Sequence, residues 1–309
     1  MKTCIFYTIC EFRGHDNTSG GPQTCREMIG YLESHGYNVL VCLPGEPFLD
    51  PDQADLLFLQ DIFNDPLGSM WFSDSELAAI THSPTPMIMS ECAYTAVSTG
   101  PYGMRSSNPA LADYDDEGGV QKLSKPIADA AQAIITCSPL QALEMLNYWQ
   151  EDYTNKLIAV PPLVDTEIFH DNHPDVDPSE PSGQFQQRDI KYLYVGAINW
   201  HKGLEGVIEN YVPLTVVGYG DLPANINRAN YLGKLDQALM PDLYRNTETF
   251  VHHPLWKEAF GRTVVEAALC GCTLDYNNNV GATSYDVDWS DPKNQELGAA
   301  KFAQAMELI

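Results

Sequence analysis

The sequence predicts an α/β protein made of two parallel-sheet halves, on three observations. Short apolar runs alternate with helical patterns from the N-terminus to about Val160. A polar, proline-bearing stretch, DNHPDVDPSEPSGQFQQRD at 171–189, interrupts them, and the alternation restarts at Lys191. Short apolar strands between amphipathic helices make βαβ units, and those units force a parallel sheet. At 309 residues the chain also exceeds the roughly 250 residues at which a single hydrophobic core stops growing.

In the first half, residues 3–9 are the first expected strand. Gly20, Gly21 and Pro22 end a polar loop that leads into a helix over about 23–34. His35 and Gly36 stop that helix, glycine being the favoured residue just past a helix end. Strands follow at 38–43, 55–59, 86–90 and 131–137. Ser138 then suits an N-cap and Pro139 a first helical turn, for a helix running to about Trp149. A strand at 157–160 closes this half, where Pro161 and Pro162 break the chain. The second half reads as strand 191–195, helix 203–210, strand 214–217, short strand 231–232, helix 237–245, strand 249–253, helix 262–270, strand 273–276 and helix 296–308. The expected organisation is therefore a first domain over 1–165, a linker over 166–190 and a second domain over 191–309. A ligand is expected in the cleft between the halves, at the carboxyl ends of the strands.

Charge narrows the function classes. Acidic residues outnumber basic ones 42 to 17, a net charge of −25. Such a surface repels phosphate backbones and anionic membranes, so a nucleic-acid partner would need a local basic groove. The eight cysteines (Cys4, Cys10, Cys25, Cys42, Cys92, Cys137, Cys270 and Cys272) form no C-x-x-C pair. Several lie in apolar runs, the pattern of buried reduced thiols in a cytoplasmic protein. The start, MKTCIFYTIC, lacks a basic segment followed by a long apolar one, and no stretch approaches 18 apolar residues. Neither a signal peptide nor a membrane span is expected.

The richest segment is HHPLWKEAFGRTVVEAALCGC, from His252 to Cys272. Glu258 stands in the loop after a strand, on the expected rim of the site. Phe260 and Gly261 make a turn where glycine lets a ligand approach the backbone. The N–H groups of Arg262 and Thr263 open a helix, a ready site for phosphate. Glu266, one turn further, can reach a hydroxyl pair such as a ribose. A carboxylate for a ribose, amides for phosphate and a second carboxylate for a sugar describe a nucleotide-sugar site.

This E-x7-E segment resembles the donor-site signature of the retaining GT-B glycosyltransferase family (glycosyl transferases group 1, or family 4-like), which includes many mannosyl- and glucosyltransferases. Other stretches agree in order: Gly20-Gly21-Pro22, 134–138, Val164-Asp165-Thr166 with Phe169, Tyr194-Val195-Gly196 with Lys202-Gly203, Val217-Gly218-x-Gly220, and Leu232-Gly233. The resemblance implies two Rossmann-like domains facing each other across a cleft. It implies that Glu266 bonds the donor ribose, that Glu258 contacts the donor sugar and that Lys202 neutralises the diphosphate. Phe260, Gly261, Arg262 and Thr263 would add backbone amides. Gly20 and Gly21 would approach the phosphates from the first domain, and Leu232, Gly233 and Lys234 would lie against the base. It further implies a UDP- or GDP-linked sugar as substrate, a hydroxyl acceptor, no other cofactor, no obligatory metal, and retention, with the leaving phosphate taking the acceptor's proton.

The chain departs from the family pattern in three places. Ala197 stands where an arginine is usual, with Arg262 or His201 as candidate substitutes. Ser90-Glu91-Cys92 stands where many relatives carry a histidine. The tail helix with which many relatives cross back to the first domain is expected to be absent, since the chain stops at Ile309.

Other features weigh less. Asp113-x-Asp115 copies a metal motif of another glycosyltransferase fold, but in a polar loop. His252 and His253 cannot face the same way on a strand, because side chains alternate. Trp200 and Trp256 suit either stacking on a ligand or loop packing. Three rival functions stand beside the hexosyltransferase: transfer to a hydroxymethylated DNA base, a sugar-nucleotide epimerase of the same architecture, and a non-catalytic nucleotide-sugar-binding subunit.

Overall fold

A parallel strand covered by helices on both faces needs apolar side chains on both, and the strands of this chain have them. The computed structural model describes residues 1–8, 20–62, 72–92, 119–171 and 188–309. They form two units, Met1–Leu163 with Glu296–Ile309, and Val164–Gln295.

The first unit contains β1 (Lys2–Thr8), α1 (Gly20–Ser34), β2 (Tyr37–Cys42), β3 (Leu56–Gln60), α2 (Asp74–His82), β4 (Met87–Glu91), α3 (Gly119–Ala130), β5 (Ala133–Thr136), α4 (Pro139–Trp149) and β6 (Leu157–Ala159). Its sheet is parallel throughout, in the order β2-β1-β3-β4-β5-β6. Alternate residues feed two cores. Tyr7, Leu57, Leu59, Met87, Met89 and Ile134 face one side, and Phe6, Leu56, Phe58, Ile88 and Ile135 the other. Phe6 and Phe58 stack at 5.1 Å across neighbouring strands.

Four features differ from the sequence reading here. Gly20 and Gly21 are the first turn of α1, not the end of a loop, and Pro22 is tolerated because the first-turn N–H groups have no helical partner. Helix α2 was not expected, although Ser73 and Glu76 form its reciprocal capping box. Helix α3 was not expected either. The last helix, α8 (Glu296–Met306), rejoins this first unit, against both the expected 191–309 domain and the expected loss of a returning helix. Its Phe302 and Ala305 are fully buried in the second core, Phe302 lying 5.0 Å from Tyr31 and 6.2 Å from Phe58. Gly298 permits a close approach, since a Cβ there would sit 2.8 Å from the Pro161 carbonyl oxygen.

The second unit contains β7 (Ile190–Ile198), α5 (Leu204–Asn210), β8 (Leu214–Gly220), β9 (Asn230–Tyr231), α6 (Met240–Arg245), β10 (Thr247–His252), α7 (Arg262–Leu269) and β11 (Thr273–Tyr276). Its parallel sheet runs β11-β10-β7-β8-β9. The expected linker begins inside this unit. Phe169 is buried 6.1 Å from the Tyr244 ring, and the Arg245 guanidinium donates to the carbonyls of Ile168 and His170. The remainder of that linker, 172–187, and Asp113 and Asp115 lie outside the described residues.

Candidate active site

Strand order locates the site. Counted within the second unit, the sheet reads 5-4-1-2-3, so the order reverses between β7 and β10. The connections leaving these two strands diverge to opposite sides and open a crevice at their carboxyl ends, where ligands of doubly wound sheets bind. The loops that carry Lys202 and Glu258 both start there.

After β7, the Asn199 side chain accepts from the Lys202 N–H at 3.2 Å and caps a single 3-10 turn, Trp200–Lys202. Gly203, at φ 73°, then turns the chain into α5. Only glycine fits, because a Cβ would lie 2.2 Å from the His253 carbonyl oxygen. After β10, the Leu255 N–H donates to the His201 carbonyl at 2.8 Å and ties the two loops together. The Asn277 and Asn279 side-chain amides both donate to the Pro254 carbonyl at 2.9 Å, and the Glu258 N–H donates to the Asn279 carbonyl at 2.7 Å. Gly261, at φ 90°, starts α7 without any side-chain cap. That leaves the helix tip and its partial positive charge without an internal acceptor from the cap residue.

Glu258 is buried rather than on a rim. One carboxylate oxygen pairs with Lys202 Nζ, and the other lies 2.5 Å from His252 Nε2. Burial pushes the carboxyl pKa upward, but the Lys202 charge and then His252 outweigh it and hold Glu258 well below the usual carboxylate range. Facing an ionised carboxylate, Nε2 must be the donor. His253 turns elsewhere, its Nε2 lying 2.8 Å from Asp275 Oδ1, as strand alternation requires.

Glu266 is also buried, and accepts from the Tyr244 hydroxyl at 3.0 Å. Burial raises its pKa against the opposing pull of Arg262 and Tyr244. His201, one of the two candidates for the charge that the resemblance expects at position 197, lies beside Lys202 and is not cationic at physiological pH. Burial and the neighbouring Lys202 charge drive its pKa to about 4. Trp256 packs edge-on to His201 at 5.1 Å and lies under Lys202 Nζ at 5.6 Å, so it anchors the loops. Trp200 is half exposed.

Leu232, Gly233 and Lys234 follow β9 beside the end of β8. The Leu232 N–H donates to Val216 at 2.9 Å and the Gly233 carbonyl accepts from Gly218 at 2.9 Å. Lys234 Nζ lies 5.2 Å from the centre of the exposed Tyr219 ring. In the first unit, at the segment where the resemblance expects a histidine, Glu91 is buried. Cys92 donates its N–H and its thiol to Asp61, at 2.7 and 2.5 Å.

The sequence reading missed Tyr244 as the partner of Glu266 and His252 as the partner of Glu258. It also missed Asn199, Asn277 and Asn279 as loop supports, although an asparagine run after a strand is a turn signal. Among the described residues, no group of three or more His, Cys, Asp or Glu side chains is placed to hold a metal ion. No described helix is long and apolar enough to cross a membrane.

Two parallel α/β units of these strand orders define the GT-B class of fold. Three solved glycosyltransferase structures share it. Anabaena HepE in complex with UDP is similar over 99% of this chain and 90% of its own, at 15% identity and a TM-score of 0.54. A glycosyltransferase from Rickettsia africae ESF-5 matches 99% of this chain and 88% of its own, at 14% identity and 0.55. WaaG, a glycosyltransferase involved in lipopolysaccharide biosynthesis, matches 98% and 90%, at 12% identity and 0.52. At such identities the likeness establishes the fold. No known family's sequence profile and no curated protein sequence matches the chain.

Proposed function

We propose that the chain is a hexosyltransferase that moves a sugar from a nucleoside diphosphate to a hydroxyl of a glycan, a lipid-linked sugar or a small molecule, with retention and without a metal. One observation carries the reading. At the strand-order reversal, Lys202 and ionised Glu258 are held together beside the start of α7, where Gly261 has no side chain to cap the helix, with Glu266 one turn along that helix.

In this reading the α7 tip, Arg262 and Lys202 receive the diphosphate, Glu266 the ribose and Glu258 the hydroxyls of the sugar. Gly20 and Gly21 would approach the phosphates, and Leu232–Lys234 the base, as the resemblance implies. The acceptor oxygen bonds to the anomeric carbon as the carbon–phosphate oxygen bond breaks. The acceptor's proton passes to the leaving phosphate on the same face. The protein then has to orient the donor and stabilise charge growing on the diphosphate, both large contributions to rate. HepE with UDP-glucose has the same fold at a TM-score of 0.52, which makes UDP-glucose the first donor to test and GDP-mannose the second.

Calorimetry with UDP and GDP, paired with a transfer assay, tests the roles. Glu266→Ala removes a hydrogen bond from a carboxyl group and should weaken diphosphate binding about 10- to 100-fold. Glu258→Gln should leave that affinity within about twofold and lower turnover at least about 100-fold, the scale for losing one transition-state contact. Unchanged binding and turnover in both variants would sink the assignment.

A further inference from the structure

We infer that His252 is a positioning residue for donor-sugar recognition: it holds Glu258 in one orientation when Lys202 turns toward the diphosphate. The inference rests on the site reading above and adds a residue to it.

The two donors on Glu258 are divided, Lys202 on Oε1 and His252 Nε2 on Oε2 at 2.5 Å. A buried carboxylate that loses one of two partners is strongly disfavoured unless the other remains. On the proposed reading Lys202 has two claims on it, the diphosphate and Glu258. His252 has one. It lies 2% exposed at the carboxyl end of β10. Its ring is fixed by Phe250, stacked at 6.0 Å, and by Tyr194 of the adjacent strand at 6.3 Å.

The other ring nitrogen shows what the side chain is for. Nδ1 is buried and has no hydrogen-bond partner among the described residues. Buried polar atoms are normally paired. A histidine present only to fill the core would be replaceable by an apolar side chain without loss. Here one nitrogen is left bare so that the other can face Glu258, and the aromatic walls prevent the ring from turning away. Tyr194 does not share the task, because its hydroxyl points to the Ala197 carbonyl at 3.5 Å.

The test uses His252→Leu and His252→Gln in the full chain, the Gln amide nitrogen reaching about as far along the side chain as Nε2. Binding of UDP, GDP, UDP-glucose and GDP-mannose is measured by calorimetry, with turnover alongside. The expected result is that the free diphosphate binds all three proteins within twofold. The extra affinity for the sugar-bearing form falls about tenfold in His252→Leu, turnover falls with it, and His252→Gln restores both. Sugar preference that survives in His252→Leu overturns the inference, as does an equal loss of diphosphate and donor binding in both variants, which would mark a purely structural role. If the wild type binds none of the four probes, the reading of the site has failed. The positioning claim is then judged by 15N NMR of the His252 ring. A far-downfield Nε2 proton supports it, and an Nε2 that carries no proton overturns it.

Discussion

Lys202→Met would leave the Glu258 carboxylate buried with His252 as its remaining side-chain partner among the described residues. Breaking a buried pair by removing one side costs about 3–5 kcal/mol. The Lys202 side chain is 16% exposed and that of Glu258 10%, and His252 stays in place, so the low end applies, about 3 kcal/mol at pH 7. For a unit of roughly 130 residues this lowers Tm by about 10 °C. The pH dependence separates this cause from lost packing. In the wild type Glu258 is held below its ordinary 4.5, so its contribution is complete above pH 4.5 and is lost as pH falls below that value toward the folded pKa. In the variant, burial acts without the lysine and raises the pKa, so the folded protein takes up a proton that the wild type refuses. The stability gap should therefore narrow by about 1.4 kcal/mol per pH unit below the variant carboxyl's own titration point. Calorimetric melts of both proteins at pH 7 and pH 4 read this directly. A gap that is the same at the two pH values, or under about 1 kcal/mol at pH 7, would refute the claim that the ion pair keeps Glu258 ionised.

Phe302→Ala should destabilise the first unit by about 3–5 kcal/mol, the usual cost of truncating a buried aromatic, and a melt in which only the second unit's transition shifts would contradict the packing of α8. His201 should titrate at about 4 by NMR. Because the unfolded histidine binds a proton from 6.5 downward and the folded one does not, stability should fall as pH drops from 6.5 toward 4, and His201→Phe should flatten that slope.

What the sequence disclosed tracks how local the cause was. Strand β3 reads LLFLQ and is buried along its whole length, so its apolar run was visible. Helix α4 opens with Ser138 accepting from the Gln141 N–H at 3.1 Å, a cap written in neighbouring residues. The E-x7-E spacing placed Glu258 in a loop and Glu266 in a helix, and both are so placed. The returning helix was not legible, because Phe302 meets Phe58 and Tyr31 at separations no local pattern encodes. The same holds for Lys202 and Glu258, 56 residues apart, and for Tyr244 and Glu266, 22 apart. The parallel pairing of β7 with β10 brings the loops of Lys202 and Glu258 together. The capping box of α2 was legible and went unread, since the surrounding residues offer little apolar periodicity.

On the proposed reading, charge at the site also bears on how a chain of net charge −25 would receive an anion. Screening at physiological salt confines each surface charge to about 8 Å, so the groups around the crevice decide. His201 is neutral there and Ala197 contributes nothing. The positive potential comes from Lys202, Arg262 and the α7 tip, worth roughly half a charge. Glu258 cancels part of it. One ammonium has three hydrogens to donate, so Lys202 can hold Glu258 and a phosphoryl oxygen together only if the carboxylate stays where it is. On the proposed reading, so few cations among the described residues of this crevice would grip a bare diphosphate weakly. On that reading the advantage would come with a donor whose sugar also engages Glu258, and the fixed orientation of that carboxylate would be the source of selectivity for the sugar-bearing form.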